Sequence, residues 1–108
     1  MENIQDYTRN VSNWQFTGEM PIIIDFYATW CGPCKSLAPT LEAIAKQYEG
    51  RVKVLKVDID RNQGFAATCG VRSVPTLFFI RKDGMFQRVV GAQPMNVIQS
   101  IVENELLK

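Results

Sequence analysis

The stretch Ile22-Ile23-Ile24-Asp25-Phe26-Tyr27 constrains this chain most. Its β-branched and aromatic residues favour an extended strand, and apolar side chains fall on both faces, with Asp25 the one exception. A strand apolar on both faces must be covered on both faces, which is how the centre of a helix-flanked sheet reads. The rest of the chain supplies the cover. Beyond Cys31-Gly32-Pro33, residues Leu37, Leu41, Ile44, Ala45 and Tyr48 recur at helical spacing until Gly50, with Pro39 inside the pattern as an expected kink. Residues 52–58 read as the next strand. Ala66 and Ala67 fall in a short helix ended near Gly70. Strands over 76–80 and 86–90 are joined by Lys82-Asp83-Gly84, a strong hairpin signal. Residues 94–107 place Val97, Ile98, Ile101 and Val102 on one face of a C-terminal amphipathic helix. Residues 1–18 are polar with spaced aromatics (Tyr7, Trp14, Phe16) and predict a weak strand or turn followed by a helix. This order predicts an α/β fold. A parallel, right-handed βαβ crossover comes first, and the hairpin then makes a mixed sheet with helices on both faces.

At 108 residues the chain suits a single domain over 1–108. Folding should bury roughly two-thirds of its surface, so the core needs no metal or disulfide staple. Lys+Arg 12 against Asp+Glu 11 gives a net charge of +1, which is not the signature of a nucleic-acid binder. No apolar run is long enough to span a bilayer. The first 20 residues have neither a basic start nor an apolar segment, so no signal peptide is read and a reducing, cytoplasmic location is expected. The chain has no histidine, which removes His-based metal sites, Ser-His and Cys-His nucleophile pairs, and imidazole acid–base chemistry.

The chemistry then falls to Trp30-Cys31-Gly32-Pro33-Cys34-Lys35, directly after the buried strand and at the start of a helix. A zinc half-site needs two more ligands, and with only Cys69 left no usual set can be completed. Haem attachment needs a histidine where Lys35 stands. A purely structural disulfide would close a very small loop, for which the entropic gain is least. What remains is a reactive dithiol, the reading that a βαβ context favours. At the helix N-terminus, unpaired N–H groups and the macrodipole stabilise an anion by up to about 2 kcal/mol, against about 1.4 kcal/mol per pKa unit. The Cys31 thiol is therefore drawn down from the ordinary cysteine range toward neutrality. Cys34, one turn further in and less exposed, suits a resolving thiol. Pro33 lacks an N–H where the helix does not need one. Gly32 leaves room for a substrate chain.

Asp25 has two readings. A buried carboxyl whose pKa is raised by burial can take a proton from Cys34, through a water. Alternatively it is a strand-end residue that only bonds backbone. Lys56, in the next strand, either pairs with Asp25 and tunes it or is a solvated strand-face lysine.

These residues resemble the thioredoxin family. The matches are Asp25-Phe26-Tyr27-Ala28-Thr29-Trp30-Cys31-Gly32-Pro33-Cys34-Lys35, then Pro39, Lys56-Val57-Asp58-Ile59-Asp60, Gly70-Val71-Arg72-Ser73-Val74-Pro75-Thr76, Lys82-Asp83-Gly84 and Gly91-Ala92. They span almost the whole chain in the family's order. The resemblance implies the thioredoxin fold, Cys31 as nucleophile, Cys34 as resolving thiol, and Asp25 with Lys56 as the buried proton-transfer pair. It implies that Pro75 is cis and faces the dithiol, and that Val74 offers backbone hydrogen bonds to an extended substrate segment. It also implies a flat docking surface of Trp30, Gly32, Pro33, Val74, Gly91 and Ala92. From the residues alone, Val-Pro-Thr reads equally as a plain trans turn, and Trp30 as a core residue.

The activity expected is reduction of protein disulfides by a monomer that holds no metal or cofactor. The chain has no nicotinamide or flavin fingerprint, and the resemblance implies recycling by an NADPH-dependent thioredoxin reductase. Two rivals stand beside this: an oxidase or isomerase, which the Gly-Pro between the cysteines argues against, and a thioredoxin fold kept as a binding module, which the intact dithiol argues against. The chain departs from the family pattern at Tyr27, where many members have Trp, in its weakly patterned N-terminal segment, and at Cys69. Cys69 is either a small, partly buried residue or an exposed regulatory or dimer-forming thiol.

Overall fold

The computed structural model describes residues 2–3 and 20–108; the helix expected before residue 18 lies outside the described residues. The elements are β1 (Glu2–Asn3), β2 (Ile22–Tyr27), α1 (Gly32–Gln47), β3 (Lys53–Asp58), α2 (Gln63–Thr68), β4 (Thr76–Ile80), β5 (Phe86–Val90) and α3 (Met95–Ile101), which runs into a π-helical turn over Val102–Leu106. The strands form one sheet in the order β1-β3-β2-β4-β5. β3 pairs in parallel with β1 and β2, whereas β4 is antiparallel to β2 and to β5. The sheet is therefore mixed, as expected, with the Ile22–Tyr27 run at its centre.

Alternation along β2 divides the core in two. Ile23 packs with Val54, Leu77 and Phe79 against Leu37, Leu41 and Ile44 of α1 and against Ile98, Val102 and Leu106 at the C-terminus. Ile22, Ile24 and Phe26 face the other way, with Leu55, Val57 and Phe78, and meet Phe65 and Ala66 of α2. Phe26 stacks on Phe65 and meets Phe78 edge-on, with ring centroids 5.7 and 5.0 Å apart. Asp25 shares the face of Ile23, under α1, and its strand neighbour across the parallel pair is Lys56.

α1 continues through Pro39 to Gln47, and Gly50 follows at φ +82° in the turn that closes it. The hairpin forms as expected, with Gly84 at φ +89° and the Met85 N–H donating to Asp83 Oδ1 at 3.1 Å. The C-terminal helix differs from expectation in its buried face. The fully buried positions are Ile98, Val102 and Leu106, while Val97 is half-buried and outside that cluster. Four α-helical steps overshoot a full turn by about 40°. The wider π turn, closed by Leu107 N–H to the Val102 carbonyl at 2.9 Å, returns Leu106 to the line of Ile98 and Val102.

Candidate active site

β2 delivers the chain to the start of α1, and the loop between them is short. The Cys31 N–H donates to the Ala28 carbonyl at 3.2 Å, and Cys31 becomes the N-cap of α1. Its Sγ accepts from the Cys34 backbone N–H at 3.2 Å, and Pro33 sits in the first turn where no intrahelical donor is needed. Cys31 and Cys34 are joined as a disulfide, with Cα atoms 5.3 Å apart. An Sγ that already accepts a helix-capping N–H is placed to be stabilised as a thiolate when the bond is reduced. The first turn of α1 carries no acidic side chain to oppose that charge.

Both sulfurs are buried, in a cluster with Ala28 against which Tyr27, Ile59 and Val74 pack. Val74 thus reaches the dithiol from the far side of the molecule's sequence. The Val74–Pro75 bond is cis, so the resemblance and not the plain-turn reading describes it. The Pro75 carbonyl accepts from the Gly91 N–H at 2.8 Å, which joins two of the expected docking segments. Gly91 has φ +96°, a conformation that favours glycine. Gly32, Pro33 and Ala92 are exposed, and a Cβ at Gly32 would meet nothing within 4 Å. Trp30 is 67% exposed, so it is not a core residue. Its indole Nε1–H donates to Asp60 Oδ2 at 2.9 Å, and the Asp60 N–H donates to Asp58 Oδ1. Asp60 is a site neighbour that belongs to the Lys56–Asp60 stretch of the family resemblance, which implied no role for it.

Asp25 is 2% exposed, and its Oδ1 has no hydrogen-bond partner. Burial pushes its carboxyl up from an ordinary 3.8 to about 7, against the opposing pull of the Lys56 charge. The backbone-bonding reading of Asp25 leaves that bare oxygen unexplained. A cavity of about 320 Å³ has Asp25, Cys34, Lys35, Ala38, Glu42 and Lys56 among its walls. It puts the buried carboxyl and the inner cysteine on one largely apolar space, large enough for water, where Lys35, Glu42 and Lys56 are among the polar groups. Lys56 is half-buried, with Nζ 6.0 Å from the centre of the Tyr27 ring.

Cys69 is half-buried against the α2-side core, and burial raises its thiol to about 11 although Arg88 pulls the other way. That is the setting of a small packing residue and not of a reactive thiolate. Among the described residues no three His, Cys, Asp or Glu side chains converge as a metal site, and no helix is long and apolar enough to cross a membrane.

A disulfide capping a helix at the end of a doubly covered strand, beside a cis-proline loop, defines a dithiol protein built for thiol–disulfide exchange. Comparison with known proteins agrees. The thioredoxin family model matches residues 2–104. A thioredoxin of Borreliella burgdorferi is 42% identical over 99 residues, covering 92% of this chain and 84% of that protein. A Synechocystis thioredoxin is 43% identical over 88 residues, covering 82% of each. The crystal structure of chloroplastic thioredoxin z superposes with a TM-score of 0.79 at 36% identity, covering 95% of this chain and 91% of that one. The chain belongs to the thioredoxin family and is a thiol–disulfide oxidoreductase.

The burial of Asp25 has a measurable cost. Its carboxyl holds a proton in the folded state up to about pH 7 but only to 3.8 when exposed. Between those values the folded protein binds more protons than the unfolded one, so this contribution to stability, complete below pH 3.8, is lost as pH rises to 7. The three-unit difference is worth about 4 kcal/mol. Asp25→Asn, measured in the oxidised form by urea unfolding, should gain stability relative to the unsubstituted protein as pH rises from 4 to 7, with the gap level above pH 8. A gap that does not change with pH contradicts the raised carboxyl.

Proposed function

We propose that the protein reduces protein disulfides through the Cys31/Cys34 dithiol, and the observation that carries the proposal is a helix-capping disulfide whose inner cysteine, Cys34, lines the cavity that holds buried Asp25. The Cys31 thiolate attacks one sulfur of a substrate disulfide. The substrate S–S bond breaks, a Cys31–substrate bond forms, and the leaving sulfur departs as a thiolate that takes a proton. Cys34 gives its proton to Asp25 through water in the shared cavity, and its thiolate attacks Cys31 Sγ. The second substrate thiol leaves, and the Cys31–Cys34 disulfide remains. Two electrons pass from the protein dithiol to the substrate. Effective concentration drives the second step, because the resolving thiol is already in place. Lys56 tempers Asp25 by opposing the effect of its burial.

In this reading the substrate lies extended along Val74 and Pro75, hydrogen-bonded to backbone, on a surface formed with Trp30, Gly32, Pro33, Gly91 and Ala92. The exposure of Trp30, Gly32, Pro33 and Ala92 and the packing of Val74 on the dithiol support that assignment. Regeneration falls to an NADPH-dependent thioredoxin reductase, and the protein works as a cytoplasmic, monomeric single domain over 1–108. The family membership and the absence of a nicotinamide or flavin fingerprint in the sequence support the first of these.

Cys31→Ser should abolish turnover, whereas Cys34→Ser should accumulate covalent complexes with a protein disulfide. Non-reducing electrophoresis with insulin reads both, and a Cys34→Ser protein that traps nothing removes the resolving assignment. Asp25→Ala should slow turnover severalfold near pH 7 and much less at pH 9, where Cys34 ionises without help. An equal slowing at both values rules out the proton acceptor.

A further inference from the structure

β5 and the glycine that follows it hold the expected docking loop at both ends. At the far end, the Gly91 N–H holds the Pro75 carbonyl at 2.8 Å. At the near end the grip comes from Arg88. Its Nη2 donates to the Cys69 carbonyl at 2.7 Å and its Nη1 to the Gly70 carbonyl at 3.3 Å.

Those two carbonyls are available because of how α2 ends. Gly70 takes φ +71°, its N–H bonds the Ala67 carbonyl, and the Val71 N–H bonds the Ala66 carbonyl, both at 3.0 Å. This is the Schellman arrangement, and Val71 packs on the same core as Ala66, as that motif favours. The Cys69 and Gly70 carbonyls lie beyond the last residue of α2. Arg88 bridges them with a charged donor, the stronger kind of hydrogen bond. The guanidinium is itself held in place. Arg88 stands opposite Phe78 in the β4–β5 pair, and its guanidinium carbon lies 5.1 Å from the centre of the Phe78 ring. A Cβ at Gly70 would lie 3.3 Å from Nη2, a tight contact that would push the guanidinium back by a few tenths of an ångström, and the positive φ favours glycine there in any case.

The segment from Val71 to Val74 is thus strung between two anchors, Arg88 on β5 and Gly91 just beyond it. The Thr76 Oγ1–H, donated to the Ser73 carbonyl at 2.6 Å, fastens its middle. We propose that Arg88 is a positioning residue, which fixes the start of the substrate-docking loop so that Val74 and cis Pro75 meet an extended chain already ordered. The proposal rests on the docking role given to Val74 above. A loop ordered beforehand leaves less freedom to be lost on binding, so the effect falls on binding of chains that use the loop and not on the chemistry at sulfur. Arg88 touches neither cysteine of the dithiol.

The test compares a protein substrate with a small one, using dithiothreitol to regenerate the dithiol. Arg88→Met should raise KM for insulin three- to tenfold with kcat within twofold. Its kcat/KM for bis(2-hydroxyethyl) disulfide, which is too short to lie along the loop, should be unchanged. Amide exchange over 71–74 should quicken. Arg88→Lys keeps the charge but bridges less well, and should fall between the two. It carries the same comparison if Arg88→Met does not fold. An unchanged insulin KM overturns the proposal, and so does an equal loss with both substrates, which signals general damage. Val74→Gly separates the two claims. If it raises the insulin KM while Arg88→Met does not, Arg88 is no clamp and the docking reading stands. If neither variant moves KM, the docking reading itself fails.

Discussion

Covering β2 on both faces is the constraint from which the rest of the site follows. A central strand with helices above and below is open only at its ends, and at the C-terminal end the chain leaves into the helix that covers it. Reactive groups in open α/β sheets gather at such ends. Here Tyr27 closes the strand and Cys31 caps α1. The disulfide thus stands where a covered interior meets an exposed rim marked by Trp30, Gly32 and Pro33.

The same burial sets two opposite electrostatic effects within one turn of chain. The unpaired N–H groups at the start of α1 favour a thiolate by up to about 2 kcal/mol. The covered face of β2 disfavours the Asp25 carboxylate, whose pKa it lifts to about 7. The helix start thus favours the thiolate of Cys31, its N-cap, whereas burial favours the protonated form of Asp25, which shares its cavity with Cys34. A carboxyl held near neutral pH beside the inner cysteine can accept a proton there without a histidine. In the reaction proposed above, that carboxyl does the acid–base work of a chain that has none.

Much of this was legible in the sequence because it depended on short-range pattern. The Ile22–Tyr27 run, the spacing of Leu37, Leu41 and Ile44, and the Asp-Gly hairpin each express a local rule, and the described strands and helices follow them. The oddity of Asp25 was visible as the one polar residue in an apolar strand. Less legible were the features that need the chain to return on itself. Periodicity at α-helical pitch does not reveal the π turn that carries Leu106 into the core. Trp30 could not be placed inside or outside until Asp60 was seen to hold its indole. Cys69 was ambiguous until half-burial and its raised thiol gave it a packing environment. Arg88 carried no motif at all. Its meaning lies in two carbonyls that stand 18 and 19 residues earlier.

The central claim is that this dithiol is poised to give electrons away. The reduction potential of the Cys31–Cys34 pair, measured against glutathione buffers at pH 7, tests it most directly. A value near about −270 mV is expected of a reductant. A value between about −180 and −120 mV means that the disulfide, and not the dithiol, is the form the protein donates, and contradicts the account.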